Sequence, residues 1–312
     1  MNGPVFGADP ILVIGANGFL GSHLVDALAA RGQRVRAFDR FSSPPRFAPS
    51  DAVEVVAGDF FNRADLHEAV VGCGAVFHFL SSSTPATSVG DPTYDLRTNV
   101  TPTVELLGTC ADEGVGAFFF ASSGGTVYGP GAGPLCREDD ATRPISPYGI
   151  GKATIESYLK YFRATSGLNT VSLRIANPYG PRQGGRHAQG LIPIALRSIR
   201  ENGTVRQLGD GRMVRDYLHV QDLVTMILTI AESAPEHDVY NLGSGQGVSV
   251  KEILGIIHEV TGTDFEVETR DQPASFVERS VLDISRYRRE WGEPPTRPLS
   301  DGISEVWRSL VG

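Results

Sequence analysis

A short apolar segment that ends in a glycine-rich loop constrains the fold of this chain more than any other feature. Ile11–Ile14 has the length and composition of a buried strand. The loop that follows carries Gly15, Gly18 and Gly21, and helical periodicity begins within it. In a strand–loop–helix unit, such glycines permit a tight turn and let the backbone approach a pyrophosphate at the helix N-terminus. The pattern therefore predicts a dinucleotide-binding site.

The first half of the chain repeats this alternation of strand and helix. Apolar strand patterns occur at residues 35–38, 53–56, 75–79, 117–121 and 170–175, and helical patterns occur at residues 18–31, 64–71, 93–113 and 147–166. Strands that alternate with helices favour a parallel sheet covered on both faces. The sequence therefore predicts the α/β class, with a Rossmann-type doubly wound parallel sheet.

The composition changes after Asn177, where Gly, Pro and Arg become frequent and the strand–helix alternation is lost. We expect residues 1–176 plus about 217–245 to form the dinucleotide-binding domain. Residues 177–216 plus 246–312 are expected to form a smaller mixed α/β domain that binds the substrate.

Charge and cysteine content exclude several classes of function. The formal net charge of −8 argues against nucleic acid as a partner, since a phosphate backbone requires a basic face. The three cysteines, Cys73, Cys110 and Cys136, are far apart in sequence, so no metal site is predicted. Neither a signal peptide nor a membrane-spanning segment is recognisable, and we expect a cytoplasmic protein.

Acidic residues follow the second and third predicted strands. Asp39 is placed to accept hydrogen bonds from ribose hydroxyls and to repel a 2′-phosphate, which favours NAD over NADP. Arg40 beside it is a weaker signal in the opposite direction, because an arginine can hold a 2′-phosphate. Asp59 either hydrogen-bonds the adenine amino group or caps the next segment. Phe79-Leu80 ends the fourth strand at the carboxyl edge of the sheet, where ligands bind.

A tyrosine and a lysine lie one helical turn apart in the segment Tyr148–Lys152. A free phenol has a pKa near 10. A neighbouring ammonium lowers the pKa of a phenol and makes the phenol a usable general base. Ser122-Ser123 stands at a strand end upstream and supplies a hydroxyl partner. The combination predicts hydride chemistry at an alcohol carbon.

Together these motifs resemble the extended short-chain dehydrogenase/reductase family, and most closely its NAD-dependent nucleotide-sugar epimerases and dehydratases of the UDP-glucose (UDP-galactose) 4-epimerase type. The resemblance covers essentially the whole chain and rests also on Asn99-Val100, Ser146-Pro147, Asn177–Gly180 and Val214–Val220. It implies a Rossmann domain that holds NAD tightly and a small domain that binds a nucleoside diphosphate sugar. It also implies a homodimer formed through a four-helix bundle of residues 93–113 and 147–166.

The resemblance implies roles for individual residues. Tyr148 is the expected acid/base catalyst, and Lys152 tunes it and binds the nicotinamide ribose. The expected cofactor contacts are Gly15, Gly18, Phe19, Leu20, Gly21, Asp39, Asp59, Phe60, Phe79, Leu80, Asn99, Tyr148 and Lys152. The expected substrate contacts are Thr84, Ser123, Tyr148, Asn177, Gln189, Leu191, Arg215, Arg270 and Ser280. Arg215 also has an argument of its own, since a guanidinium presents a fork of donors to diphosphate oxygens.

The chain departs from the family at the hydroxyl partner of the tyrosine. Family members usually carry Ser or Thr where this chain has Gly124. We predict that Ser123 supplies the hydroxyl, with Thr126 as the alternative. A glycine pair at this strand end would give the backbone the freedom to bring Ser123 to the sugar oxygen.

The same segment favours one reaction. The 4,6-dehydratases carry an Asp-Glu pair after the hydroxyl residue, and the related decarboxylases carry a Glu nearby, whereas this chain has Gly125-Thr126. A 4-epimerase of UDP-glucose and UDP-galactose therefore fits best. In the UDP-galactose 4-epimerases that the chain resembles, a residue shortly before the last Asp-x-Ser motif gates the C2 substituent. Counted back from Asp283, that position is Ser280, and its small side chain would leave room for UDP-N-acetylglucosamine and UDP-N-acetylgalactosamine.

Other functions stay open from the sequence. One alternative is a UDP-glucuronate 4-epimerase in which Arg182, Arg186 or Thr84 meets the carboxylate; others are an oxidoreductase or dehydratase of another nucleotide sugar. A non-catalytic NAD(H)-binding regulator on the same fold is less favoured, because such a protein would be expected to lack Tyr148 or Lys152.

Overall fold

A computed structural model describes residues 7–85, 87–88, 90–131, 133–184, 190–271 and 277–311. The chain forms two compact units. The first comprises the described residues of 1–123, 146–174 and 226–240, and the second comprises those of 124–145, 175–225 and 241–312. The assignment of cofactor binding to one domain and substrate binding to the other stays a prediction.

The strands and helices follow in chain order. The strands are β1 (Ile11–Ile14), β2 (Val35–Asp39), β3 (Val53–Ala57), β4 (Ala75–His78), β5 (Ala117–Ser123), β6 (Asn169–Ile175), β7 (Asn177–Tyr179), β8 (Thr204–Leu208), β9 (Val214–His219), β10 (Val239–Leu242), β11 (Gly247–Ser249), β12 (Glu266–Arg270) and β13 (Arg279–Ser280). The helices are α1 (Phe19–Ala30), α2 (Arg63–Val70), α3 (Thr101–Asp112), α4 (Pro147–Ser166), α5 (Leu191–Asn202), α6 (Val220–Glu232), α7 (Val250–Thr261), α8 (Ser285–Trp291) and α9 (Leu299–Val311).

A seven-stranded parallel sheet with the order β10-β6-β5-β4-β1-β2-β3 confirms the predicted fold class. β1 pairs in parallel with β2 on one side and with β4 on the other. The strand order therefore reverses at β1, and the carboxyl ends of β1 and β4 meet at this switch point. In doubly wound sheets, ligands bind at such a point.

Capping residues fix the start and end of α4, the helix that carries the tyrosine and the lysine. Ser146 is its N-cap and accepts a hydrogen bond from the Gly149 amide at 3.1 Å, and Pro147 occupies the first turn. Gly167 ends the helix with φ +73°. A hydroxyl cap of this kind stabilises a helix by about 1 kcal/mol, so the beginning of α4 is firmly placed.

The long helix predicted over residues 93–113 is interrupted. Leu96–Val100 forms a π-helical turn, in which the Thr101 amide bonds to the Leu96 carbonyl, and α3 begins only at Thr101. Pro102 has no amide hydrogen for the i−4 carbonyl, so a regular ladder cannot pass through this point. Single π turns occur frequently at functional sites.

The sequence did not predict β7, β8, β9, β11 or β13 of the second unit. β9 pairs with β7, β11 and β13 in one small sheet, and β8 pairs in parallel with β12. β7 covers only Asn177–Tyr179 and contains a proline, so it is too short to show an alternating pattern. An apolar core formed mainly by α5, α7 and α9 supports this unit. In the described part of the chain, no helix combines the length and apolarity needed to cross a membrane.

Candidate functional site

The loop between β1 and α1 is closed too tightly for side chains. Gly15 has φ +85°, and a Cβ built on it would lie 2.7 Å from the Leu80 nitrogen. A Cβ on Gly21 would lie 2.1 Å from the Gly15 carbonyl oxygen. Glycine is therefore required at both positions, because any other residue would force β1, α1 and the end of β4 apart.

The N-terminus of α1 fits an anionic group. Its N-cap, Gly18, has no side chain that could cap the helix, and the first turn contains no acidic residue. The amides at the start of a helix have no partners within the helix, and the helix dipole places partial positive charge there. The segment Gly15–Gly21 thus provides unpaired backbone amides and partial positive charge, which can bind the diphosphate of a dinucleotide.

Asp39 lies against the glycine loop. Its Oδ2 accepts a hydrogen bond from the Asn17 amide at 3.0 Å, and its Oδ1 accepts one from the Arg40 amide at 2.7 Å. The sequence analysis did not single out Asn17, whose side chain donates to the Ser43 carbonyl at 3.1 Å and accepts from the Arg46 amide at 2.9 Å. Asn17 therefore ties a neighbouring loop to the glycine loop and helps to place the Asp39 carboxylate.

The side chains near the end of β3 contribute to packing. Phe60 is 3% exposed and stacks on His78 with ring centres 5.1 Å apart, so its ring belongs to the core. Asp59 Oδ1 accepts a hydrogen bond from the Phe61 amide at 3.0 Å, which closes a local turn. This turn corresponds to the capping alternative that the sequence left open for Asp59. Contacts of either residue with a cofactor stay predictions.

Ser123, Tyr148 and Lys152 come together in the first unit. Ser123 is the last residue of β5, and its hydroxyl hydrogen-bonds the Tyr148 phenol. Lys152 is 5% exposed, donates to the Ala121 carbonyl at 2.8 Å, and lies 5.5 Å from the centre of the Tyr148 ring. The hydroxyl of the alternative residue, Thr126, is buried and has no hydrogen-bond partner in the described structure. The geometry favours Ser123 over Thr126.

Burial dominates the titration of this pair. It raises the pKa of Tyr148, the negative charge of Asp95 adds to this effect, and the hydrogen bond with Ser123 opposes it. The prediction of a lowered phenol pKa is therefore wrong for this structure, because the spacing of Tyr148 and Lys152 gives no information on burial. Burial also lowers the pKa of Lys152 to about 8, against the opposing effects of Asp95 and Glu156.

A buried ion pair holds the helix and strands that carry Ser123 and Tyr148 together. Arg174 on β6 donates to both carboxylate oxygens of Glu156 on α4, at 3.1 and 2.7 Å. Ser122, beside Ser123 on β5, donates to Glu156 at 2.5 Å. The side chains of Arg174 and Glu156 are 4% and 5% exposed. These bonds fix α4 against β5 and β6, and so fix the distance between Ser123 and Tyr148.

Asn99 organises the loop that follows β4. Its Oδ1 accepts hydrogen bonds from the Ser82 amide at 3.0 Å and the Ser82 hydroxyl at 3.1 Å, and its Nδ2 donates to the Ser83 hydroxyl at 3.1 Å. In this structure both polar ends of Asn99 bind the protein itself. Ser82 and Ser83 belong to no recognisable sequence motif, so these partners of Asn99 were not predicted.

The turn that contains Thr84 packs against the beginning of α4. The Thr84 amide donates to the Thr87 hydroxyl at 2.9 Å, and the two hydroxyls are 3.1 Å apart. Ser88, in the same turn, accepts a hydrogen bond from the Tyr148 amide at 3.3 Å. The structure therefore brings Thr84 into the neighbourhood of Tyr148, although the contact with a substrate stays a prediction.

In the second unit, Arg215 and Ser280 occupy paired positions on β9 and β13. The Arg215 guanidinium donates to the Val277 carbonyl at 2.6 Å and to the Val214 carbonyl at 2.8 Å. Burial lowers the pKa of Arg215. The Ser280 hydroxyl lies 3.4 Å from the carbonyl of Gly124, the residue that follows Ser123 in the chain.

The remaining predicted substrate residues are less closely grouped. Asn177 on β7 donates to the Asp216 carbonyl at 3.1 Å, which places it beside β9. Leu191 is the first residue of α5 and packs on the core of the second unit. Arg270 lies on β12, in a different sheet from Arg215, and pairs with Glu268 at 2.5 Å. Gln189 lies outside the described residues.

Comparison with known proteins identifies similar sequences and structures over nearly the whole chain. The model of the NAD dependent epimerase/dehydratase family matches residues 11–243. The UDP-glucose 4-epimerase of Mycolicibacterium smegmatis is 33% identical over 302 residues, which cover 95% of this chain and 96% of that protein. The dTDP-4-dehydro-6-deoxyglucose reductase of Escherichia coli is 30% identical over 314 residues, which cover 96% of this chain and 97% of that protein. The crystal structure of the Thermotoga maritima UDP-glucose 4-epimerase with UDP-glucose matches with a TM-score of 0.89 and 32% identity, over 96% of this chain and 98% of that one.

Proposed function

Because this chain belongs to the NAD dependent epimerase/dehydratase family, we propose that it inverts the configuration at C4 of a UDP-sugar, with UDP-glucose and UDP-galactose as the substrate pair. The observation that carries the proposal is the hydrogen bond between the half-buried Ser123 and Tyr148, beside the buried Lys152. No carboxylate follows Ser123 directly, since residues 124–126 are Gly, Gly and Thr. The site thus has the groups for oxidation and reduction of an alcohol, and it lacks the adjacent acid/base pair that a dehydratase carries.

The family's cofactor has a suitable set of ligands in this chain. The amides of Gly15–Gly21 and the N-terminus of α1 would hold the diphosphate of NAD. The Asp39 carboxylate would accept hydrogen bonds from a ribose hydroxyl and disfavour a 2′-phosphate. NAD, when bound, would supply the acceptor and the donor of the hydride at C4.

Tyr148, Ser123 and Lys152 control transfer of the proton on O4 of the sugar. Tyr148 accepts the O4 proton as C4 is oxidised, and Ser123 holds both the phenol and the sugar oxygen by hydrogen bonds. The Lys152 ammonium offsets the negative charge that forms on the phenolate. Burial raises the pKa of Tyr148, so the resting phenol must first lose its proton to solvent. The phenolate then accepts the O4 proton and returns it to O4 at the end of the cycle. The 4-keto sugar must present its other face between the two transfers.

Recognition of the nucleotide sugar is assigned to the second unit. Arg215 offers a guanidinium fork to the diphosphate, and Asn177, Gln189 and Leu191 would contact the nucleotide. Ser280 pairs with Arg215 across two strands, and its small side chain leaves space for an N-acetyl group at C2. We therefore include UDP-N-acetylglucosamine and UDP-N-acetylgalactosamine as a second substrate pair. Thr84 and Arg270 remain predicted substrate contacts.

The surface of α4 supports the proposed homodimer. Ile150, Tyr158 and Tyr161 on α4 are 48%, 39% and 56% exposed, and Leu96 on the preceding π turn is 44% exposed. Apolar side chains grouped in this way are typical of a protein–protein interface. Two helices from each of two copies would form a four-helix bundle and cover them. Light scattering coupled to size exclusion should give the mass of two chains, and a single-chain mass would contradict the dimer.

The proposal is tested by incubating the purified protein with UDP-glucose, UDP-N-acetylglucosamine and UDP-glucuronate, each alone, and following the sugar protons by NMR. We expect UDP-glucose to equilibrate with UDP-galactose without added NADH. Conversion of UDP-glucuronate alone would assign the enzyme to the uronic acid. Net consumption of NADH when a 4-keto nucleotide sugar is supplied instead would identify a reductase, the activity named for the Escherichia coli relative.

A further inference from the structure

Asp95 is a buried acid for which neither the sequence motifs nor the proposed mechanism provides a role. It precedes the π turn, and its side chain is 2% exposed. Its Oδ1 accepts a hydrogen bond from the Ser83 hydroxyl at 2.6 Å and another from Asn99 Nδ2. In the part of the chain that the structure describes, no cationic side chain lies at ion-pair distance from it. A carboxylate buried without a paired cation is costly, which suggests that its charge has a use.

The second carboxylate oxygen of Asp95 faces α4. A Cβ built on Gly151 would lie 2.8 Å from Asp95 Oδ2, so the glycine allows the carboxylate to approach the helix. Gly151 immediately precedes Lys152 and lies three residues after Tyr148. The charge of Asp95 acts on both neighbours, since it raises the proton affinity of the phenol and of the amine.

The other groups that face Lys152 contribute less negative charge than Asp95 does. Glu156, one turn further along α4, also favours the ammonium form of Lys152, but its effect is smaller than that of Asp95, and Arg174 pairs with both of its oxygens. His78 on β4 is buried, and burial followed by the charge of Lys152 lowers its pKa to about 3, so it is neutral. Tyr148 is a phenol at rest. Asp95 is thus the anion near Lys152 that has no ion-pair partner among the described residues.

We propose that Asp95 is a positioning residue whose negative charge keeps Lys152 in its ammonium form beside Tyr148. The inference rests on the proposed function only for its catalytic consequence. Burial alone favours the neutral amine. An amine that has lost its proton cannot offset the phenolate that forms when Tyr148 gives up its proton. Asp95 therefore extends the pH range over which the pair works.

The charge of Asp95 can be removed with little change in shape. In Asp95→Asn, the side-chain oxygen can keep its bonds with Ser83 and Asn99, and an amide nitrogen replaces Oδ2. The matched control is Asp91→Asn in the same segment, because Asp91 is an exposed acid whose partner is Arg97. If Asp95→Asn does not fold, Asp95→Ser removes the same charge and retains a hydroxyl.

The titration of Lys152 can be followed directly, with or without substrate. The chain has only three lysines, Lys152, Lys160 and Lys251, so side-chain NMR of lysine-labelled protein gives few signals. Lys152 is identified by loss of its signal in Lys152→Arg, and the exposed Lys160 and Lys251 serve as internal references. We expect Lys152 to titrate near pH 8 in the wild type. In Asp95→Asn its midpoint should fall by about one pH unit, and in Asp91→Asn it should not move.

The results separate the inference from the proposed function. An unchanged or raised Lys152 midpoint in folded Asp95→Asn would overturn the role of Asp95, whatever the protein's activity. If UDP-sugars are interconverted, the loss of rate at high pH should begin about one unit lower in Asp95→Asn. A fall in rate at every pH, with both the midpoint and the high-pH limb unmoved, would assign Asp95 a purely structural role. If no UDP-sugar reacts, the proposed function fails, and the lysine titration still decides the inference.

Discussion

The two units hold their candidate functional residues in different ways. In the first unit, Ser123 hydrogen-bonds Tyr148, and the buried Lys152 lies beside the Tyr148 ring. In the second unit, Arg215 on β9 donates to backbone carbonyls of its own unit. Arg270 lies in a different sheet, on β12, and pairs with Glu268 of the same strand. The first set is assembled by rigid strand and helix ends, whereas the second is distributed over separate strands.

This difference has a physical basis. Proton transfer requires its groups at fixed short distances, so strand ends and a capped helix must hold them in place. A diphosphate presents several equivalent oxygens, and a guanidinium can reach them from more than one position. Changes in the first unit should therefore reduce turnover, and changes in the second should reduce affinity.

Removing the phenol should have the largest effect. Tyr148→Phe keeps the ring and deletes the hydroxyl that Ser123 binds. We expect kcat for UDP-glucose to fall by about 10³-fold, because the O4 proton has no acceptor. The NAD content of the purified protein should stay at the wild-type level. A Tyr148→Phe variant with the wild-type kcat would contradict the assignment of proton transfer to the first unit.

Loss of the buried ion pair should mainly affect stability. Glu156→Gln removes the carboxylate charge that pairs with the buried Arg174, which should lower the free energy of unfolding by about 3–5 kcal/mol. Glu105→Gln removes a partner of the well-exposed Arg63 and should change it by less than about 1 kcal/mol. Urea unfolding compares the two variants, and equal effects would mean that burial does not distinguish these pairs.

The two candidate hydroxyls can be separated by paired substitutions. Ser123→Ala removes the hydrogen bond to Tyr148 and should lower kcat by about 10²-fold, while NAD remains bound. Thr126→Ala should have a much smaller effect, since the Thr126 hydroxyl has no hydrogen-bond partner in the described structure. Steady-state kinetics on both variants decides between them, and the reverse order would assign the hydroxyl to Thr126.

The second unit should respond through KM. Arg215→Lys keeps a positive charge but loses the planar fork, so KM for UDP-glucose should rise about tenfold with kcat nearly unchanged. Arg206→Lys is the control, because Arg206 lies on β8, outside the predicted site, and its exposed side chain pairs with Glu268. A fall in kcat with constant KM in Arg215→Lys would contradict the assignment of substrate affinity to the second unit.

The sequence predicts the first unit better than the second for a related reason. The glycine loop, Asp39 and the Tyr148–Lys152 pair are short motifs on neighbouring parts of the chain, and their spacing carries the geometry. The partners of Asn99 and the role of Asp95 depend on a π turn that interrupts a helix predicted to be regular. The positions of Arg215 and Ser280 depend on pairing between strands that are distant in sequence and too short to show a periodic pattern.

A sequence motif also does not show how deeply its residues are buried in the fold. The spacing of Tyr148 and Lys152 predicts a lowered phenol pKa, whereas burial and the charge of Asp95 raise it. One sequence signal for the neighbouring acids does exist. Asp95 stands four residues before Asn99, and Glu156 stands four after Lys152, so each pair shares a helix face.

The fate of a label at C4 tests the central claim most directly. The protein is incubated with UDP-glucose that carries deuterium at C4, and the product is analysed by NMR. Oxidation and reduction at C4 predict UDP-galactose that retains the deuterium at C4. Deuterium at C6 of a deoxy product, or UDP-galactose that has lost the label to solvent, would contradict the proposed 4-epimerase.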